Sequence, residues 1–291
     1  MRFAIALLAT LLVSGPTLAA ESPAPARQPL WSLEGKTNTV YLLGSVHFLS
    51  PSEKLPAAAD AAYLDAEKLI MEIDMDDLDP IEMQQATLEL GLLPPDESLE
   101  KHLGADTYAK VAAKARELGV DPALLNRFRP WFAAMTLVQM HLVKMGLDPN
   151  SGVEKRLTAR AGADRKSIEG LETLREQLGL LASLPDAQQR EFLLYSVEDT
   201  ERAVREVDAL LAAWRRGDSQ VLADLLSEGF EEYPDLYRPL TVERNRKWLP
   251  VIEGLLDDEY DYLVVVGTLH LVGENSVVEL LQKQGHEVRQ H

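Results

Sequence analysis

Two short segments place the tightest limit on how this chain can fold. VYLLGSVHFL, beginning at Val40, and YLVVVGTLHLVG, beginning at Tyr262, each run as a strand into a glycine and, three residues later, a histidine. The continuous apolar runs predict strands buried on both faces. The glycines permit a sharp exit from the strand or a close backbone approach. More than two hundred residues separate the copies, so they meet only if the chain returns to one sheet. In an open sheet of parallel strands, the loops leaving the carboxyl ends share an edge, and ligands bind in the crevice there. As near neighbours in such a sheet, the two segments bring His47 and His270 together.

The rest of the chain reads as the surroundings of that sheet. Leu30 to Leu33 and Thr39 to Leu43 are expected strands around the turn Glu34-Gly35-Lys36. Helical spacing starts at Leu55-Pro56 and runs through Ala58, Ala62 and Leu69, with KLIMEID as the next buried strand. Strand, helix and strand make one right-handed crossover. From Asp79 to about Gly146 the pattern is helical, and Trp131, Met135, Val138, Leu142 and Met145 step by four and three as one apolar face expected in the core. A shorter helix in VEKRLTARA and a strand around RKSIEG follow. A second helical stretch covers Pro185 to about Leu256 with a break at Gly229 to Pro239. DYLVVVG, a helix through SVVELLQKQ stopped by Gly285, and HEVRQ complete the pattern. The expected fold is a single α/β domain over residues 30–291, with a mixed, mostly parallel central sheet. Helical insertions fall at about 80–150 and 185–256.

The first residues, MRFAIALLATLLVSGPTLAA, carry one basic residue, an apolar run and then small residues, the layout of a secretory signal peptide. A leader over residues 1–19 and a linker over 20–29 are expected, with Ala24-Pro25-Ala26 as an alternative cleavage site. That predicts an exported protein, periplasmic or secreted. No later stretch is apolar for the roughly 18 residues of a membrane span, so none is expected in the mature chain. The chain has no cysteine, which excludes disulfides, a thiol nucleophile and thiolate ligands, so any metal is held by nitrogen and oxygen. A net charge of −18 sets aside nucleic acid and anionic membrane surfaces as partners.

Against this frame, a few polar residues stand out. Glu72 and Asp74 end the strand one crossover from His47, and a carboxylate beside two imidazoles suits a first-row divalent cation. Such an ion acidifies bound water and polarises a carbonyl where one coordination position stays open. The plain alternative for Glu72 is a solvated strand end. Glu169 and Glu172 in IEGLETLREQ end another expected strand, where either could be ligand or general base. Arg244 and Asn245 in ERNRKWLP precede the last part of the sheet, and Arg244 could clamp a carboxylate or stabilise an oxyanion. His102, His141, His286 and His291 have ordinary readings in polar, helical or terminal settings. No nucleophile elbow, phosphate loop, dinucleotide fingerprint or HExxH helix occurs.

VYLLGSVHFL, LPAAADAAYLDAEKLIMEID, SIEGLETLREQL, ERNRKWLPVI and LVVVGTLHLVGENSVVELLQKQGHEV, in this order, resemble the TraB/GumN family, which is related to the TIKI proteases. The resemblance runs from about Trp31 to Val288. It implies an α/β fold related to haem-binding ChaN and erythromycin-esterase-like proteins and, from the TIKI side, a metal-dependent peptidase using two GxxH histidines with acidic residues. His47 and His270 match the motif histidines, and Glu72 matches the acidic residue after the second strand. Glu172 and Arg244 match further family positions. The resulting expectation is an exported, metal-dependent hydrolase acting on peptide bonds, with a peptide or small-molecule substrate. His47, Glu72 and His270 would hold Mn²⁺, Co²⁺ or Zn²⁺, and Glu72, Glu172 and Arg244 would serve catalysis. The alternative is a haem- or metal-binding protein that uses the same pocket without turnover.

Overall fold

The structure is a computed structural model that describes residues 27–198, 200–231 and 234–291. The expected leader and most of the linker lie outside the described residues, as do two residues within the break expected between Gly229 and Pro239.

Six strands form one mixed sheet: β1 (Leu30–Glu34), β2 (Thr39–Ser45), β3 (Lys68–Met71), β4 (Ile168–Gly170), β5 (Tyr262–Gly267) and β6 (Arg289–Gln290). Their spatial order is β4-β3-β5-β2-β1-β6. The four strands β4, β3, β5 and β2 run parallel, while β1 pairs antiparallel with both β2 and β6. The apolar runs are buried as expected: Leu42, Leu43, Leu69 and Leu263 to Val266 are fully enclosed between helices. The expected hairpin is present, with Leu30 opposite Leu43 and Glu34 opposite Thr39.

The register decides where the chemistry falls. Ser45 stands beside Gly267, so the two GxxH segments leave adjacent parallel strands at the same level. β3 lies on the other side of β5, with Met71 level with Val265, and β4 lies beyond it, with Gly170 level with Met71. Strand pairing ends at Met71 rather than running to Asp74, but the ladder continues one step as the Glu172 N–H donates to the Glu72 carbonyl at 2.9 Å. Glu72 and Glu172 therefore leave the sheet side by side.

Helices fill the two long connections, β3 to β4 and β4 to β5. Between β3 and β4 the chain forms, among others, the helices Pro80–Gly91, Ala105–Glu117, Pro130–Lys144 and Val153–Asp164. Between β4 and β5 it forms Leu174–Ala182, Asp186–Glu198, Thr200–Arg215, Ser219–Glu231 and Glu243–Leu255. Local chemistry fixes several starts: Asp79 caps the Ile81 N–H ahead of Pro80, and Thr173 with Glu176 forms a capping box. The helical layer has an apolar cluster of its own, including Leu99, Val111, Ala133, Leu137 and Leu193, separate from the cluster around the sheet.

One expectation about the core is corrected. The helix Pro130–Lys144 buries Trp131, Ala133, Ala134 and Leu137, whereas Met135 is 43 % exposed. Small alanines let this helix lie close against Asp186–Glu198. The face with Met135 and the edge of Trp131 is thereby left to line a cavity.

Candidate functional site

Above the carboxyl edge of the parallel strands, a cavity of about 580 Å³ is bordered by His47, Glu72, Gln177, Arg244 and His270. All three expected metal ligands thus face one space. Its remaining walls are mostly apolar, among them Phe132, Met135, Leu178, Leu181, Phe192 and Leu240, with Gln139 and Tyr195 adding polar groups. A larger depression of about 760 Å³ on the far side of Glu172 is acidic, with Asp74, Asp77 and Glu82, but contains no imidazole.

Arg244 is the hub. The helix Glu243–Leu255 continues from a π-helical turn, Arg238–Val242, and carries Arg244, Asn245 and Trp248 toward the sheet edge. Nη2 of Arg244 donates to Glu72 Oε2 at 2.6 Å and to Glu172 Oε1, and Nε donates to Glu172 Oε2 at 3.2 Å. Nη1 donates to the Leu240 carbonyl at 3.2 Å and to His270 Nε2 at 3.0 Å. All five guanidinium hydrogens therefore have acceptors, and the plane rests 4.6 Å from the Trp248 ring. Both carboxylates are also bridged by Gln177 Nε2, at 2.9 Å to Glu72 and 3.1 Å to Glu172. Glu72 Oε1 accepts from the Gly267 N–H at 2.7 Å.

These contacts set the protonation states. Burial by itself would raise the Glu72 pKa, but the surrounding positive charge overrides it and holds the group at about 2. His270 is pushed down to about 4, first by burial and further by Arg244, although Glu72 pulls the other way. At neutral pH His270 is therefore neutral, and the charges that keep Glu72 ionised there are those of Arg244 and His47. The Asn245 amide donates to the Asn275 carbonyl at 2.9 Å, so its Oδ1 accepts from His270 Nδ1–H at 2.6 Å. That leaves the Nε2 lone pair of His270 pointing at Arg244.

His47 is set differently. Its ring lines the cavity with 64 % of the side chain accessible, and Nδ1 lies 2.9 Å from Glu154 Oε1. The Glu154 charge raises the His47 pKa to about 9 against the opposing effect of desolvation. Glu154, buried on the first turn of the helix Val153–Asp164, has its own pKa lowered: desolvation raises it, but His47 and the Ser45 hydroxyl outweigh that.

The glycines of the two motifs serve close approach rather than a left-handed turn. A Cβ on Gly44 would lie 2.8 Å from Thr268 Oγ1 and 3.2 Å from the Thr268 Cα, so the first motif packs directly against the second.

The donor types suit a divalent cation, but their arrangement around Arg244 does not. Glu72 Oε2 and His270 Nε2 already converge on the guanidinium, and His47 Nδ1 is directed at Glu154. Among the described residues no three His, Asp or Glu side chains stand together as a cation shell. Binding a cation on His47, Glu72 and His270 requires Arg244 to withdraw.

The profile of the TraB/PrgY/gumN family matches residues 29–290. The chain belongs to that family. Within it the chain is 26 % identical over 247 residues to the Escherichia coli (strain K12) protein named "Uncharacterized protein YbaP", covering 83 % of this chain and 87 % of that protein. The Shigella flexneri protein of the same name matches to the same extent. A Treponema pallidum (strain Nichols) protein is 28 % identical over 160 residues, covering 52 % of this chain and 46 % of its own length. No solved structure matches the chain. The geometry brings the two GxxH histidines, Glu72 and Arg244 around one cavity, with Glu172 bound to Arg244 behind them, whereas Glu169 is exposed on β4. Gln177 and Glu154 were not legible as site residues. The one signal for Glu154 is its place between Val153 and Leu157, two fully buried positions of its helix.

Proposed function

We propose that this family member is an exported hydrolase that cleaves a peptide or related acyl bond in ligands carrying apolar groups. One observation supports this reading above the others: an ionised cluster held by Arg244 and an accessible imidazole share a cavity whose other walls are mostly apolar. Apolar walls bind a ligand and exclude water, and charged groups fixed in advance act strongly in such a space.

His47 is the group suited to moving a proton, because its ring is reachable and one nitrogen is anchored. Held protonated at neutral pH, it would donate to the departing nitrogen or oxygen. Glu72, ionised under the same conditions, is the candidate base once Arg244 and Gln177 release its Oε2. Glu172 and Arg244 keep Glu72 and His270 in place, since every Arg244 donor is already engaged. Mn²⁺, Co²⁺ or Zn²⁺ on His47, Glu72 and His270 is the alternative electrostatic device and requires displacement of Arg244. A common origin with ChaN and erythromycin-esterase-like folds belongs to the same proposal, supported by the four parallel strands and the site at their carboxyl edge. A second reading, haem or metal binding without turnover, is favoured by Phe132, Leu181 and Phe192 facing the imidazoles.

The test is incubation of the purified protein with a fluorogenic peptide library, in EDTA and separately with each of the three metals. Cleavage that disappears in His47→Ala supports the hydrolase. A haem absorbance band without cleavage transfers support to the binding reading, and neither signal under any condition refutes both.

A further inference from the structure

We propose that Glu154 is a positioning residue that holds His47 through Nδ1 and thereby aims Nε2 into the cavity. The inference deepens the hydrolase reading and rests on it for its kinetic consequence, but the geometry stands by itself. Glu154 Oε1 lies 2.9 Å from His47 Nδ1 and also accepts from the Ser45 hydroxyl at the end of β2. A buried carboxylate needs compensating partners, and both side chains that meet its Oε1 belong to the first GxxH segment. The helix that carries Glu154 is docked onto the same segment, with the Val153 N–H donating to the Val46 carbonyl at 3.1 Å. Gly152 makes this approach feasible: a Cβ there would sit 2.2 Å from the His47 carbonyl oxygen. Backbone and side chain thus converge to fix one ring, and Nε2 is the nitrogen left for the cavity that the ring lines.

The dyad is testable without a substrate. In protein labelled with ¹⁵N-histidine, with the His47 signals assigned by their loss in His47→Gln, the Nδ1 proton is expected far downfield in a carboxylate hydrogen bond. Glu154→Leu removes the acceptor and should abolish that resonance. Glu154→Gln keeps a neutral acceptor, and the resonance should persist but move upfield, which keeps the test decisive if the leucine variant fails to fold. On any peptide the wild type cleaves, Glu154→Leu should lower kcat about a hundredfold with KM nearly unchanged, Glu154→Gln should recover part of that loss, and neither should matter in a His47→Ala background. A His47 Nδ1 proton that ignores both substitutions overturns the assignment, as does an unchanged kcat. A wild type that cleaves nothing but keeps the downfield proton removes the hydrolase reading and leaves the dyad standing.

Discussion

Replacing Arg244 by methionine should reverse the sign of the pH dependence around the buried carboxylates. Glu72 Oε2 and Glu172 Oε1 are bonded to the same guanidinium nitrogen, so their separation cannot exceed the two bond lengths together. Without the cation, two like charges that close repel by about 3–4 kcal/mol at an effective dielectric of about 20. Breaking a buried ion pair by removing one partner typically costs about 3–5 kcal/mol, and both carboxylates here are less than a tenth exposed. In the wild type the folded pKa of Glu72 is lowered from 4.5 to about 2, which stabilises by about 3 kcal/mol above pH 4.5 and is lost as pH falls toward 2. In Arg244→Met the repulsion drives a proton onto the pair. Its folded pKa then exceeds the unfolded value, and the stability it contributes is present at low pH and lost as pH rises. The substitution should therefore cost several kcal/mol at pH 8 and measurably less at pH 5. Urea unfolding followed by tryptophan fluorescence, in EDTA at both pH values, measures the difference. An equal loss at the two pH values, or a loss below about 1 kcal/mol at pH 8, would refute the reasoning.

The remaining expectations concern titration, packing, the cavity and export. In chelator, the wild-type Tm should fall below pH 6.5, as His270 (folded pKa about 4) and then Glu72 (about 2) resist taking up protons, and also above it, as His47 (about 9) loses its proton in the folded state; a Tm at pH 9 as high as at pH 6.5 contradicts the His47–Glu154 pair. Gly44→Ala forces Thr268 away from β2 and should destabilise by about 1–3 kcal/mol in denaturant melts. Met135→Trp and Leu181→Trp should fill the cavity and weaken haem uptake or peptide cleavage while leaving the Tm close to wild type, and binding that survives both places the ligand elsewhere. Mass spectrometry of the protein recovered from a periplasmic fraction should give a chain beginning at Ala20; an intact Met1 excludes the leader.

The elements legible in the sequence are those whose pattern is local. YLVVVG, TVYLLGS and KLIM read as buried strands because they are short, largely apolar runs rich in β-branched and aromatic residues; Gly267 ends its strand, whereas Gly44 still pairs with Val266. His47, Glu72 and His270 followed because they lie within a few residues of those strand ends, so topology alone limits where they can point. Glu154 and Gln177 resisted prediction because each is one polar residue on an amphipathic helix, where spacing favours the solvated reading and only the docking of that helix onto the sheet edge reverses it. Met135 failed in the opposite sense. Its period matches a core stripe, but periodicity measures which face is apolar and not whether that face meets a neighbour or an empty space.

The same distinction separates the two halves of the candidate site. His47, Glu72 and His270 sit at the rim of a parallel sheet, where register between adjacent strands sets their level, and Arg244 and Glu154 clamp them there from helices docked on that rim. The walls that would choose a ligand come mainly from Pro130–Lys144 and Asp186–Glu198, which pack on each other, and from Leu174–Ala182, which packs on Pro80–Gly91. A wall substitution such as Phe192→Ala should therefore change which apolar ligand fits and leave the His47 ring resonance in place. A change at Gly44 acts on the rim itself and should disturb that resonance whatever the ligand.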